Sequence, residues 1–244
     1  MRRTVAAGLV VVGLLAGVAG CATVPDPEPS AKPTTTAKST ASPSPTPAPT
    51  VTPTPTPTST PDLWQRFIDA RMPYSFEVPP GWAVVEQPSP YGNQGPLQFL
   101  VNDGQGKQQL VFSSQASGFG GRCGDAAPLN VQEMDAEPAT IPGYTLTSRT
   151  IKNLTSPQFV YRAMQTDKGV VASLGLSDEG ITDSCAFYNL LHPGETTISF
   201  ADATQVSAEN PPHLFASTDE AKSFAQSDEY KTLKRILLSL QIAG

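Results

Sequence analysis

Tyr74-Ser75-Phe76-Glu77-Val78-Pro79-Pro80-Gly81-Trp82 is the stretch on which the fold class turns. Apolar side chains at 74, 76 and 78 alternate with polar ones at 75 and 77, the period of a half-buried strand and not of a helix. Pro79-Pro80-Gly81 cannot continue a hydrogen-bonded ladder and predicts a turn. Residues 82–86 then read as the next strand.

The same grammar repeats outward. Residues 97–101 and 109–113 are rich in β-formers and flank Asn102-Asp103-Gly104-Gln105-Gly106-Lys107, which reads as a hairpin loop supported by glycine. Further strand candidates are 131–137, 145–150, 159–165, 170–176, 186–191 and 197–200. No helical period lies between them, so βαβ crossovers are excluded and the sheet is expected to be largely antiparallel.

Helices are expected at the two ends of this region. Asp62-Leu63-Trp64-Gln65-Arg66-Phe67-Ile68 offers an N-cap and apolar i, i+4 pairs, and predicts a short N-terminal helix. Ser217-Thr218-Asp219-Glu220 is a capping box, and Ser227-Asp228-Glu229 offers a second cap where the helix restarts or kinks. Tyr230, Leu233, Ile236, Leu237 and Leu240 form an apolar stripe with basic residues on the polar side. The expected class is α+β, an antiparallel sheet covered by a C-terminal and a short N-terminal helix. The strand running into Pro79-Pro80-Gly81-Trp82, together with Phe224-Ala225-Gln226-Ser227-Asp228-Glu229-Tyr230 and the helix after it, resembles secreted lipoproteins with the Mog1/PsbP-like fold. That resemblance spans roughly residues 64–241 and implies no enzyme activity.

Upstream, Val18-Ala19-Gly20-Cys21 closes a run of seventeen uncharged residues behind Arg2-Arg3, and resembles the lipobox of a bacterial lipoprotein signal peptide. With four glycines the run falls short of the roughly 20 residues of a membrane-spanning helix. The resemblance implies removal of residues 1–20, a diacylglycerol thioether on Cys21 and a place on the outer face of the cell membrane. At about 0.8 kcal/mol per buried methylene, two or more acyl chains hold a protein stably where one would not.

Residues 21–61 follow as a stalk. Ala22 and the 39 residues after it include twelve Pro and twelve Thr, and no aromatic, Leu, Ile or Gly. Such a segment cannot bury enough apolar surface to offset the entropy of ordering, and its Thr-Pro alternation favours extended polyproline conformations with a reach of up to roughly 120 Å. The same composition also suits O-linked sugars.

Residues 62–244 then form one domain of ordinary size. It carries twelve Lys and Arg against twenty Asp and Glu, a formal charge of -8. That balance disfavours nucleic acid, whose phosphates need a basic footprint. With Cys21 acylated, Cys123 and Cys185 are an even pair in an exported domain and read as a disulfide, the alternative being two free thiols.

Chemistry is sparse. His192 and His213 both sit beside proline and are expected on the surface. There is no zinc-ligand spacing and no Gly-x-Ser-x-Gly turn, so neither metal nor cofactor is expected. Glu133, Asp135 and Glu137 at i, i+2 and i+4 predict three carboxylates on one strand face, too few ligands for calcium. Gly118-Phe119-Gly120-Gly121-Arg122-Cys123-Gly124 lacks the ending of a phosphate loop and reads as a loop pinned at Cys123. Trp82, Phe119 and Arg122 mark the first place to look for a ligand. The expected role is a non-catalytic domain that binds an envelope protein or a small ligand. An envelope hydrolase assembled only in the fold, from His192, His213 or Asp183, is the alternative.

Overall fold

A computed structural model describes residues 63–89, 95–117, 128–146, 154–181 and 184–243. These residues lie within one compact unit, Pro57–Gly244. Every strand pairing among them is antiparallel, and two helices complete an α+β architecture.

The main sheet has eight strands. Seven follow the order β3 (Ala83–Gln87), β4 (Gln98–Asn102), β5 (Gln108–Ser113), β10 (Ser199–Ala201), β8 (Gly169–Glu179), β7 (Leu154–Thr166), β6 (Val131–Pro138), and β12 (His213–Phe215) also pairs with β8. The hairpin expected at 102–107 forms, with Asp103 Oδ1 accepting from the backbone N–H groups of Gln105 at 2.9 Å and Lys107 at 3.0 Å. Next to β8, strand β10 comes very close. A Cβ on Gly175 would stand 2.5 Å from Ala201 Cβ, which is why this β8 position carries no side chain.

Tyr74–Val78 is β2, the strand expected there, and Gly81 closes the following turn with a φ of 79°. β2 belongs to a separate three-stranded sheet between β1 (Gln65–Ile68) and β13 (Gln241–Ile242). The short helix expected over 62–68 is therefore a strand over its described part, paired Gln65 to Val78 and Ile68 to Ser75. Isolated helices this short do not recover the cost of nucleation. The edge of β2 offers Arg66 a hydrogen bond to Glu77 at 2.7 Å, and alternation sends Phe67 inward while Ile68 stays 69% exposed. The apolar pairs at i, i+4 fit a period of two as well as one of 3.6.

α1 (Thr218–Phe224) and α2 (Asp228–Leu238) are separated where the second cap was expected. Ser217 Oγ accepts from Glu220 N at 3.2 Å, and Ser227 Oγ accepts from Tyr230 N at 3.0 Å. Tyr230, Leu233, Ile236 and Leu237 of α2 are buried against β2, β7 and β8, with Leu240 just beyond the helix. Between the small sheet and the main sheet the core is aromatic. Phe76 lies 4.6 Å from Phe200 and 5.9 Å from Phe112 between ring centroids, and Phe112 lies 5.6 Å from Phe200.

The opposite face of the main sheet has its own small core of Val131, Met164, Val171, Phe187 and Val206. Two of these come from β9 (Ala186–Tyr188) and β11 (Gln205–Ser207), a separate pair of short strands. β11, β12 and β13 carry too few residues to show a period in the sequence. Of the candidate strand 145–150, Leu146 bridges to Pro193, and residues 147–150 lie outside the described residues.

The expected row of three carboxylates is broken. The β6–β7 register shifts between Glu133 and Asp135, so Glu133 pairs with Arg162 while Asp135 pairs with Tyr161. Paired residues share a face and neighbours along a strand do not, so this bulge sends Glu133 to one side of the sheet and Asp135 to the other. Asp135 and Glu137 both bind Lys234 of α2, at 2.9 and 3.0 Å. They tie the helix to the sheet edge.

Candidate functional site

Trp82 is half-buried against the large core, and its backbone N–H bonds Pro79 O at 3.2 Å. It serves the turn. Phe119, Arg122, Cys123 and Asp183 lie outside the described residues. Cys185 is disulfide-bonded.

The ionisable groups that the fold gathers are elsewhere, at the end of β8. Asp178 and Glu179 close that strand, Arg162 reaches across from β7, and His192 follows the Leu191–Ile198 bridge beyond β9. His192 was expected on the surface and is 2% exposed. The reason is Asp178, whose fully buried carboxylate accepts from His192 N at 2.7 Å, meets His192 Nδ1 at 2.7 Å and accepts the Tyr144 hydroxyl. Burial, with Asp178 alongside, pushes the Tyr144 phenol well above its usual range and keeps it a donor. Proline beside a histidine marks a loop but does not say which way the ring points.

His192 Nε2 stands 3.6 Å from Glu179 Oε1. Burial raises the Glu179 carboxyl above its usual range, more than His192 and Arg162 lower it. Arg162 is 4% exposed. Its Nη2 donates to Glu179 O at 2.7 Å and its Nη1 to Ser177 Oγ at 3.5 Å. Its Nε has no hydrogen-bond partner among the described residues, the Glu133 carboxylate being 3.9 Å away. Desolvation lowers the Arg162 pKa against the pull of both glutamates. Arg162 and Glu179 share a cleft of about 100 Å³ with Val131, Ile181, Phe187 and Tyr188.

Glu179 has a consequence for stability. A raised carboxyl pKa means that the fold holds the proton more tightly than the unfolded chain does. The protonated form's contribution is complete below the usual carboxylate value and is lost as pH rises through the raised one. Glu179→Gln, which imitates the protonated form, is therefore expected to raise the melting temperature at pH 8 more than at about pH 4. Thermal melts of both proteins across that range check this, and an equal difference at the two ends would contradict it.

A second polar cluster centres on Asp202. It accepts from Ser173 Oγ, from Leu174 N at 2.9 Å, and lies 3.2 Å from His213 Nε2. Asn189 Nδ2 donates to Ser173 Oγ at 2.8 Å. His213 has an 18% exposed side chain and lies beside the rings of Phe215 and Phe224, so it too is more enclosed than expected. The carboxylate sits between the hydroxyl and the imidazole, the reverse of the order in which a histidine base activates a serine.

Among the described residues no group of three or more His, Cys, Asp or Glu is arranged to hold a metal ion, and no helix is long and apolar enough to cross a membrane. No protein-family model, curated protein or solved structure matches the chain. The only sequence signal of the β8 cluster is an arginine in the otherwise apolar run Phe159-Val160-Tyr161-Arg162-Ala163-Met164. A charge there has to be buried or to break the strand's inner face.

Proposed function

We propose that this chain is a lipoprotein of the bacterial cell envelope, held on the outer face of the membrane through acylated Cys21. Its folded domain binds a small ligand or an envelope protein without chemical turnover. The observation that carries the binding reading is the company of the two histidines. His192 Nδ1 meets Asp178 and its Nε2 faces Glu179, while His213 Nε2 faces Asp202, so these ring nitrogens meet carboxylates. Both rings hold strands and loops in place, and the cleft beside Arg162 presents both signs of charge, from Arg162 and Glu179.

The anchor rests on Val18-Ala19-Gly20-Cys21 behind its uncharged run, and the stalk on the Pro/Thr composition of residues 22–61. The acidic domain has no footprint for nucleic acid. A Mog1/PsbP-like arrangement is the finer fold assignment, supported by the antiparallel sheet with α2 across one face and by the turn at Pro79-Pro80-Gly81-Trp82. A second covalent link, Cys123 to Cys185, completes the proposal.

Growth with a labelled fatty acid tests the anchor. The wild-type protein takes up the label and sediments with membranes, whereas Cys21→Ser loses the label and at least about nine-tenths of its membrane association, because one thioether carries all the acyl chains that hold it. Equal labelling of the two proteins would end the lipoprotein reading.

A further inference from the structure

The two edges of the main sheet are built differently. β6 closes one side. It carries Glu133, Asp135 and Glu137, a bulge after the first of these and Pro138 at its end, and Lys234 of α2 is bound to it. Charge, bulges, proline and a covering helix are the devices by which a sheet edge refuses further strands. β3 closes the other side without them. Ala83–Gln87 pairs with β4 in unbroken register from Ala83 with Asn102 to Gln87 with Gln98, and among the described residues no strand lies beyond it. Its one charge, Glu86, is already held by Arg71 through bonds of 3.0 and 2.8 Å.

The side chains of β3 leave the same gap. All but Val84 are exposed. Val85 begins an apolar row that runs inward through its register partner Leu100 to Val111 on β5. Outside β3 the row ends in solvent. One more antiparallel strand, with an apolar residue opposite Val85, would complete both the row and the backbone ladder.

We propose that β3 pairs antiparallel with β3 of a second copy of this chain about a two-fold axis at Val85, so that the main sheet continues from one copy into the other. In this register the strand is its own complement. Val85 faces Val85 of the second copy, Val84 faces Glu86 and Ala83 faces Gln87, so no carboxylate stands opposite another. That matters for a domain with a formal charge of -8, which repels itself over most of its surface. The second copy also supplies the valine that the apolar row lacks. A two-fold contact uses one patch on both copies and leaves no β3 edge free. Five residues a side fall short of the roughly 800 Å² per partner of a standard interface, so the pairing is weak in dilute solution. It rests neither on the lipid anchor nor on the binding role.

Oxidative cross-linking of the full-length protein at high concentration in detergent, with copper phenanthroline in air, tests the pairing and its register. Val85→Cys gives a covalent dimer above the wild-type background, because opposed residues stand about 4.5–5.5 Å apart between Cα atoms, within reach of a disulfide. Ala83→Cys alone gives none, since Ala83 of the second copy is displaced by four residues, about 13 Å along the strand. Ala83→Cys mixed with Gln87→Cys gives the mixed dimer. All three positions are exposed, so these variants are expected to fold. No dimer from Val85→Cys would overturn the self-pairing and leave the edge to a strand of another protein. As much dimer from Ala83→Cys alone as from Val85→Cys would overturn the two-fold at Val85.

Discussion

Asp178→Ala is expected to destabilise the domain by about 3–5 kcal/mol, because one buried carboxylate is shared by several buried partners. The carboxylate is fully buried and gathers the His192 backbone N–H, His192 Nδ1 and the Tyr144 hydroxyl. Truncation leaves those donors without an acceptor and without water, and each buried unsatisfied group costs about 1–3 kcal/mol. Tyr144→Phe removes one neutral donor and leaves the carboxylate its other partners, so its cost is expected near 1 kcal/mol. Urea unfolding of the two variants separates them. Equal midpoints would mean that the carboxylate does not hold the His192 loop to β8. Because Glu179 follows Asp178 directly and His192 faces both, the same variant is also expected to disturb the Arg162 cleft.

Phe112→Ala is expected to cost about 3–5 kcal/mol, as truncation of a buried phenylalanine does when the surrounding structure collapses only in part. Phe112 is fully buried on β5, with ring centroids 5.3 Å from Tyr74, 5.9 Å from Phe76 and 5.6 Å from Phe200. Tyr74 and Phe76 belong to the small sheet and Phe200 to the main one, so the ring joins two sheets that share no hydrogen-bonded strand. A void there has β-structure on both sides and little freedom to close. Val85→Ala on β3, at a side chain 45% exposed, is the contrast and is expected within about 0.5 kcal/mol of wild type. Denaturant midpoints again decide, and a Phe112→Ala midpoint as mild as that of Val85→Ala would show that the two sheets do not depend on this contact.

The sequence by itself determined what is local. Alternation marked β2, runs of β-formers marked β5 and most of β7 and β8, Pro79-Pro80-Gly81 marked the turn after β2, and the hydroxyls of Ser217 and Ser227 marked where α1 and α2 begin. A period or a cap involves residues within a turn or two of one another, so composition over that distance is enough to read it. Tertiary structure decided everything that depends on a distant partner. Residues 65–68 became a strand because β2 offered an edge, and His192 turned inward because Asp178, fourteen residues earlier, was already buried. A single shifted residue in the β6–β7 register put Glu133 beside Arg162 and Asp135 beside α2. A strand pattern says which residues share a face, but which charges meet across that face is set by register and by strand order, and in this chain those come only from the folded whole.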